Sequence, residues 1–274
     1  MARKYSYLLG DAAREAARLR AQARLWDPVS MALFDRVGVR KGWKVLEIGP
    51  GQGSLHLELR RRVRGPVDAV ERSPAFAARL KGIVARDRFG SGQIWTTDLR
   101  DAPLPANHYD LIFARWVFLF LPDPLAHLKR LARALKPGGR LALQDYHRNT
   151  FSLIPQPPEW NDFLRADRAF FASQGGDASI GCHLPALFAA TRLDIEGIEA
   201  TVMTGHPGSA PWNWLTTFFM DVMARYAAFP PFTPAAARRL RQAWTRAGRQ
   251  RASLIVAPAV LDIVGRKPAR RRTV

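Results

Sequence analysis

The chemistry of this chain gathers around Val45-Leu46-Glu47-Ile48-Gly49-Pro50-Gly51-Gln52-Gly53-Ser54-Leu55. A β-forming run ends in an acid, three glycines alternate with other residues, and a helical pattern begins. Glycine there lets the backbone turn sharply and lets a ligand approach where a Cβ would stand in the way. The spacing is G-x-G-x-G, not the G-x-G-x-x-G that seats a dinucleotide pyrophosphate on a helix N-terminus. No Lys-Ser or Lys-Thr follows, which excludes a P-loop. A second acid, Glu71, closes the next strand eighteen residues beyond Gly53, where a carboxylate can accept from both hydroxyls of a ribose. A third strand runs into Thr97-Asp98-Leu99, an acid to meet an adenine amino group beside an apolar side chain to pack on the ring. A fourth ends in Phe113-Ala114-Arg115-Trp116.

Such residues need a scaffold that brings strand ends together. From residue 44 the pattern alternates short β-rich runs (44–48, 66–70, 92–96, 111–114, 140–144) with amphipathic helices (54–63, 74–84, 125–135). Five-residue apolar strands separated by helices predict a parallel sheet with helices on both faces and ligands at the carboxyl ends of the strands. Ahead of it, Ala12, Ala16, Leu19, Ala23 and Trp26 share one helical face, Asp27-Pro28 is expected to break that helix, and a second runs over 29–37. After Tyr146 the texture turns rich in proline and aromatics over 148–178. The core pattern returns as a helix over 184–191 and a strand over 195–203. A second aromatic stretch covers 208–250, where Thr233-Pro234 opens a helix as N-cap and first residue. A last strand over 253–264 is broken by Pro258.

The 274 residues, 47% hydrophobic, suffice for a large domain or a domain with a cap. The single cysteine, Cys182, forbids an internal disulfide and removes multi-cysteine zinc sites. No metal site is expected. No run of eighteen apolar residues is present and the basic N-terminus leads into a charged helical pattern, so a cytoplasmic location without a membrane span is the expectation. The net charge of +19 is spread along the chain. A solvated basic surface is its first explanation, and nucleic acid is the competing one.

With five segments in register, the chain resembles the class I S-adenosylmethionine-dependent methyltransferases, and is most similar to the small-molecule group that includes the quinone-biosynthesis enzymes. The resemblance covers residues 20–147, and 180–206 and 252–267 more loosely. It implies a seven-stranded, mostly parallel, Rossmann-like α/β sheet with a helical cap built from an N-terminal segment and two insertions. The implied organisation is a lid over 1–43, a cofactor-binding core over 44–147, cap insertions over 148–178 and 208–250, core pieces over 179–207 and 251–267, and a disordered basic tail over 268–274. S-adenosylmethionine is the implied cofactor, and S-adenosylhomocysteine its product. By position, Glu47 resembles the acid that organises the first loop, and Gly49, Gly51 and Gly53 the glycines beside the methionine part. Glu71 resembles the ribose acid with Arg72 flanking the adenine, Asp98 and Leu99 the adenine pair, and Ala114 and Arg115 the fourth-strand residues facing the amino-acid portion. Tyr7 and Gln22 lie where such a lid contributes.

A sulfonium already activates its methyl group, so the protein must align a nucleophile behind it and exclude water. If the nucleophile carries a proton, a base must take it. His147, just past the fifth strand, is the first choice, followed by His206 and His183. Tyr146 and Arg115 are placed to orient an acceptor instead. Trp214, Phe218 and Met223 suggest a roof over a flat, apolar molecule, although helical spacing makes core packing the plainer explanation. The expected activity is transfer of a methyl group to O, N or C of a small aromatic or apolar metabolite. An RNA or DNA methyltransferase is the alternative, disfavoured because the fourth strand ends Ala114-Arg115-Trp116-Val117 rather than in an Asn-Pro-Pro-Tyr motif that holds a flipped base. A cofactor-binding module that methylates nothing is the third reading, and a homodimer stays open.

Overall fold

The computed structural model describes residues 12–269, so Tyr7 and the last five residues of the basic tail lie outside the described residues. In chain order the elements are α1 (Ala12–Val37), β1 (Val45–Ile48), α2 (Ser54–Val63), β2 (Asp68–Val70), α3 (Pro74–Val84), β3 (Ile94–Trp95), β4 (Tyr109–Arg115), α4 (Pro124–Ala134), β5 (Leu135–His147), β6 (Ser152–Ile154), α5 (Trp160–Ser173), α6 (Ile180–Ala190), β7 (Asp194–Thr201), β8 (Thr204–Gly205), α7 (Ala210–Tyr226), α8 (Pro234–Ala247), β9 (Leu254–Val256) and β10 (Ala259–Arg266). Seven strands form one sheet in the order β3-β2-β1-β4-β5-β10-β7. The first five lie parallel, and β10 runs antiparallel between β5 and β7. This is the mostly parallel α/β sheet that the sequence implies.

Helix starts follow their local chemistry. Ser73 accepts from the Phe76 N–H at 3.4 Å ahead of Pro74, Asp123 from the Ala126 N–H at 3.1 Å ahead of Pro124, and Thr233 from the Ala236 N–H at 3.2 Å ahead of Pro234. Contacts divide the chain into two compact units. One holds residues 29–149, 171–202 and 258 onward, and the other holds residues through 28, 150–170 and 203–257. In the sheet unit, Leu33, Phe34, Val45, Leu55, Leu59, Leu111 and Phe113 form one buried cluster, and Ala69, Leu80, Val84 and Ile94 another. The second unit is built on stacked rings. Trp160 lies parallel to Phe219 with centroids 5.6 Å apart, and Phe219 lies against Trp244 at 4.3 Å. A small antiparallel sheet, β6-β9-β8, belongs to this unit.

Three sequence expectations change. Pro28 does not break the N-terminal helix, because α1 runs through it. Trp26 before it, and Ser30, Leu33 and Phe34 after it, are buried. Burial on both sides offsets the roughly 3 kcal/mol that an internal proline costs. The strand expected over 253–264 is broken at Pro258, which has no N–H to continue a ladder, as the sequence implies, but its two halves lie in two different sheets instead of one. The unit boundaries also shift: residues 203–207 and 251–257 fall with the aromatic unit, and 171–178 with the sheet.

Candidate functional site

Three residues of the β1–α2 turn take backbone conformations suited to glycine. Gly49, Gly51 and Gly53 have φ of 67°, 55° and 86°. A Cβ on Gly49 would lie 2.7 Å from the Val117 Cγ2, and one on Gly53 2.9 Å from the Leu80 Cδ1. Among the described residues a Cβ on Gly51 would meet nothing within 4 Å, so that glycine borders open space. The turn is tied down by its own backbone: the Gly49 N–H donates to the Val70 carbonyl at 2.8 Å, and the Gly53 N–H to the Pro50 carbonyl at 2.9 Å.

Glu71, just past β2, links this turn to the next helix. Its carboxylate accepts from the Gly51 N–H at 3.1 Å and from the Ser73 N–H at 2.8 Å. Burial pushes its carboxyl above the ordinary range, against the pull of those two donors. Each oxygen retains a lone pair beyond the bond it already accepts. Arg72 beside it is exposed. Asp98 accepts from the Arg100 N–H at 3.0 Å and from its guanidinium at 3.1 Å. Burial pushes Asp98 up, but those bonds and the guanidinium charge bring it below its ordinary value. Leu99 next to it is buried.

Ala114 stands opposite Ile48 in the β1–β4 register, which puts the end of β4 beside the glycine turn. Arg115 donates to the Ser30 Oγ at 2.9 Å, and its Cζ lies 4.7 Å from the centroid of the Trp116 ring. Trp116 has φ of 54°, donates its N–H to the Gln144 carbonyl at 2.9 Å, and stacks on Tyr146 with centroids 5.2 Å apart and planes 6° from parallel. The Arg148 Cζ sits 5.6 Å from the Tyr146 ring centroid. The result is a layered arrangement, Arg115 on Trp116 on Tyr146 on Arg148. From Ser30 on α1 a polar chain runs through β5 and β10 and back to α1. Ser30 donates to the Gln144 side chain, Gln144 to Asp262 at 2.7 Å, and Arg36 to the other Asp262 oxygen at 2.6 Å.

Glu47 does not stand alone. Its carboxylate is buried 3.0 Å from the Nδ1 of His56, a fully buried residue of α2 whose Nε2 has no partner among the described residues. The sequence reading missed His56, although a histidine in an otherwise Leu- and Arg-rich helix just after a glycine turn was its signal. It also missed Asp145. This residue of β5 is fully buried, accepts from the Tyr146 N–H at 2.9 Å and the Leu119 N–H at 3.2 Å, and is pushed up to about 7 by burial. A lone acid inside the apolar run 141–146 was visible, but strand alternation turns it away from Tyr146.

The remaining sequence candidates divide between the units. His147 ends β5 opposite Ala259, and His183 on α6 is exposed and paired with Asp177. His206 lies in the other unit, exposed, its Nδ1 3.0 Å from the Pro207 carbonyl. That unit also holds Gln22, Trp214, Phe218 and Met223. Trp214 is buried edge-on to Trp26 at 6.0 Å, Phe218 is half-buried, and Met223 has no exposed surface and packs the interior.

Comparison with known proteins agrees with this fold. Residues 46–143 match the methyltransferase domain family. The chain is 31% identical over 137 residues to the ubiquinone/menaquinone biosynthesis C-methyltransferase UbiE of Pseudomonas putida F1, covering 48% of this chain and 51% of that protein. The chain thus spans about half the length of the curated relatives it matches. Among solved structures, one from Bacillus halodurans C-125 described as a methyltransferase superposes with a TM-score of 0.60 at 13% identity, covering 87% of this chain and 98% of that one. The geranyl diphosphate C-methyltransferase of Streptomyces coelicolor A3(2) superposes at 0.54 with 16% identity, covering 95% and 86%. No helix among the described residues is long and apolar enough to cross a membrane.

Proposed function

We propose that this chain, which carries a class I methyltransferase domain similar to the quinone-biosynthesis enzymes, moves a methyl group from S-adenosylmethionine to a small organic acceptor. The observation that carries the reading is Gly51: a left-handed backbone bordering open space, its N–H tied to the one acid at the end of β2. That pairing suits a nucleoside lying across the two strand ends. Gly49, Gly51 and Gly53 would border the methionine portion, and Glu71 would accept the ribose hydroxyls on its unused lone pairs. Asp98 and Leu99 would hold the adenine edge and face, with Arg72 alongside and the Ala114 backbone near the amino-acid end. Glu47, fixed by His56, would keep the turn in shape.

The bound cofactor supplies a methyl group already activated on sulfur. What the chain must add is orientation and the exclusion of water. The Trp116–Tyr146 stack, with Arg115 and Arg148 on its outer faces, makes a rigid block at the ends of β4 and β5 whose ring edges and guanidinium groups would border an acceptor. Edge-on ring contacts and nearby cations suit an aromatic or conjugated acceptor with a polar substituent. His147 at the close of β5 would take a proton from an acidic acceptor group. The names of the relatives favour carbon as the methylated atom; oxygen and nitrogen acceptors fit the same surroundings. The cytoplasm is the location that fits a small-molecule enzyme of this kind.

Calorimetric titration with S-adenosylhomocysteine, followed by transfer of labelled methyl from S-adenosylmethionine into a metabolite extract, tests this. One-to-one saturable binding with label in a small extractable product is expected. Absence of binding at millimolar ligand would overturn the cofactor assignment, and binding with label only in nucleic acid would overturn the acceptor class.

A further inference from the structure

The longest one-sided stretch of charge in the chain plays no part in the methyl-transfer site. Between Asp221 and Asp262 there are seven arginines and no acid. Six of them, Arg238, Arg239, Arg241, Arg246, Arg249 and Arg251, lie on α8 and the turn after it, and all six are exposed. Helical spacing sets Arg238 and Arg246 on the side away from Leu240 and Trp244, which are buried, while Arg241 donates to the Met220 carbonyl at 3.3 Å and Arg249 and Arg251 follow the last residue of the helix. Only Arg239 has a carboxylate partner among the described residues, Glu159 at 2.6 Å. Arg238, Arg246, Arg249 and Arg251 have none.

Beside this face runs a shallow groove lined by Pro155, Pro158, Ala243 and Arg246 among others. It is continued by Ile154, which is 46% exposed and stands opposite Leu254 in the β6–β9 register. The surface therefore presents a cationic rim around a small exposed apolar strip, both within one unit of the chain. Aromatic rings, which a single-stranded nucleic acid would stack on, are turned inward here: Trp244 is 1% exposed and Trp160 likewise.

We propose that this outward face of α8 docks the protein reversibly on an anionic lipid surface, arginines on the headgroups and the Ile154–Pro155 strip at the headgroup–acyl boundary. Clustered cations beside a shallow apolar strip are the recognition chemistry of such a surface, and long arginine side chains reach headgroups while their stems stay against apolar neighbours. The inference does not depend on the methyl-transfer reading, because it is read by partition alone.

Sedimentation of the full chain with mixed phosphatidylglycerol–phosphatidylcholine vesicles, against pure phosphatidylcholine vesicles and a structured RNA, tests it across a salt series. Expected is partition to the anionic vesicles that declines with salt. The combined variant Arg238→Gln, Arg246→Gln, Arg249→Gln should lower that partition at least about tenfold, and Ile154→Ser about threefold. The charge-matched variant Arg79→Gln, Arg86→Gln, Arg133→Gln in the sheet unit should change it by less than about twofold. Circular dichroism and S-adenosylhomocysteine titration check that each variant is folded. An equal loss in the charge-matched variant would make the binding a product of net charge and overturn the assignment. Vesicle partition absent at low salt, or RNA held more tightly than vesicles through the same arginines, would overturn it as well.

Discussion

The strand-end site and the aromatic unit fill their interiors by different means. At the strand ends, buried polar groups are each fixed by specific partners: Glu71 by two backbone N–H groups, Glu47 by His56, Asp262 by Gln144 and Arg36. The aromatic unit packs Phe151, Trp160, Phe163, Phe219 and Trp244 ring against ring, with the Tyr226 hydroxyl donating to Asp167 at 2.6 Å as a buried polar contact. Directional bonds demand particular residues at particular positions, whereas ring packing demands volume and shape. One region should therefore lose ligand binding when altered and the other should lose stability.

Phe219→Ala provides the largest test. Removing a ring in contact with Trp160, Phe163 and Trp244 should cost about 3–5 kcal/mol in urea unfolding, with S-adenosylhomocysteine affinity of the folded protein within about twofold of the parent. A cost below about 1 kcal/mol would show that the rings are not close-packed. Gly51→Val comes next, with the opposite signature. At φ of 55° a β-branched residue is strained by roughly 1–2 kcal/mol, while its side chain enters the open space, so affinity should fall at least about a hundredfold in calorimetry. Unchanged affinity would break the contrast.

Asp145 brings a pH dependence to the sheet unit. Its carboxyl is raised from the ordinary 3.8 to about 7, chiefly by burial. Between those values the unfolded chain gives up a proton that the folded chain keeps, so the stability it contributes is complete below pH 3.8 and is lost as pH rises through about 7. Urea unfolding should show the parent less stable at high pH than at low pH within that window. Asp145→Asn should flatten the trend and exceed the parent on its alkaline side by on the order of 2 kcal/mol. Glu71, also raised by burial, leaves a residual slope of the same sign. A steeper slope in the variant would refute the assignment. The smallest effect is that of Glu71→Ala, which should weaken S-adenosylhomocysteine about tenfold by removing the proposed ribose acceptor and freeing the Gly51 N–H. An unchanged affinity would remove Glu71 from the site.

The glycine turn and the acids after β2 and β3 are legible in the sequence alone. A strand that must turn sharply into a helix leaves few residue types free, and their spacing is short-range. Pro28 misled, because a local rule about proline met burial on both sides of it. The break at Pro258 was legible, but not that the two halves of the 253–264 strand join different sheets: they share a hydrophobic pattern, and only their partners reveal it. His56 escaped notice because a histidine in a helix has many ordinary explanations until a buried carboxylate stands 3.0 Å away.

By itself the sequence determined the order of strands and helices, the glycine positions and the family resemblance, since each rests on residues near one another along the chain. Tertiary structure decided which side chains meet. The pairing of Glu47 with His56, the stack of Trp116 on Tyr146, and the elevation of Asp145 depend on burial and on contacts between distant segments. Those are fixed only when the chain closes on itself and excludes water, because a buried charge or ring takes its character from its neighbours in space.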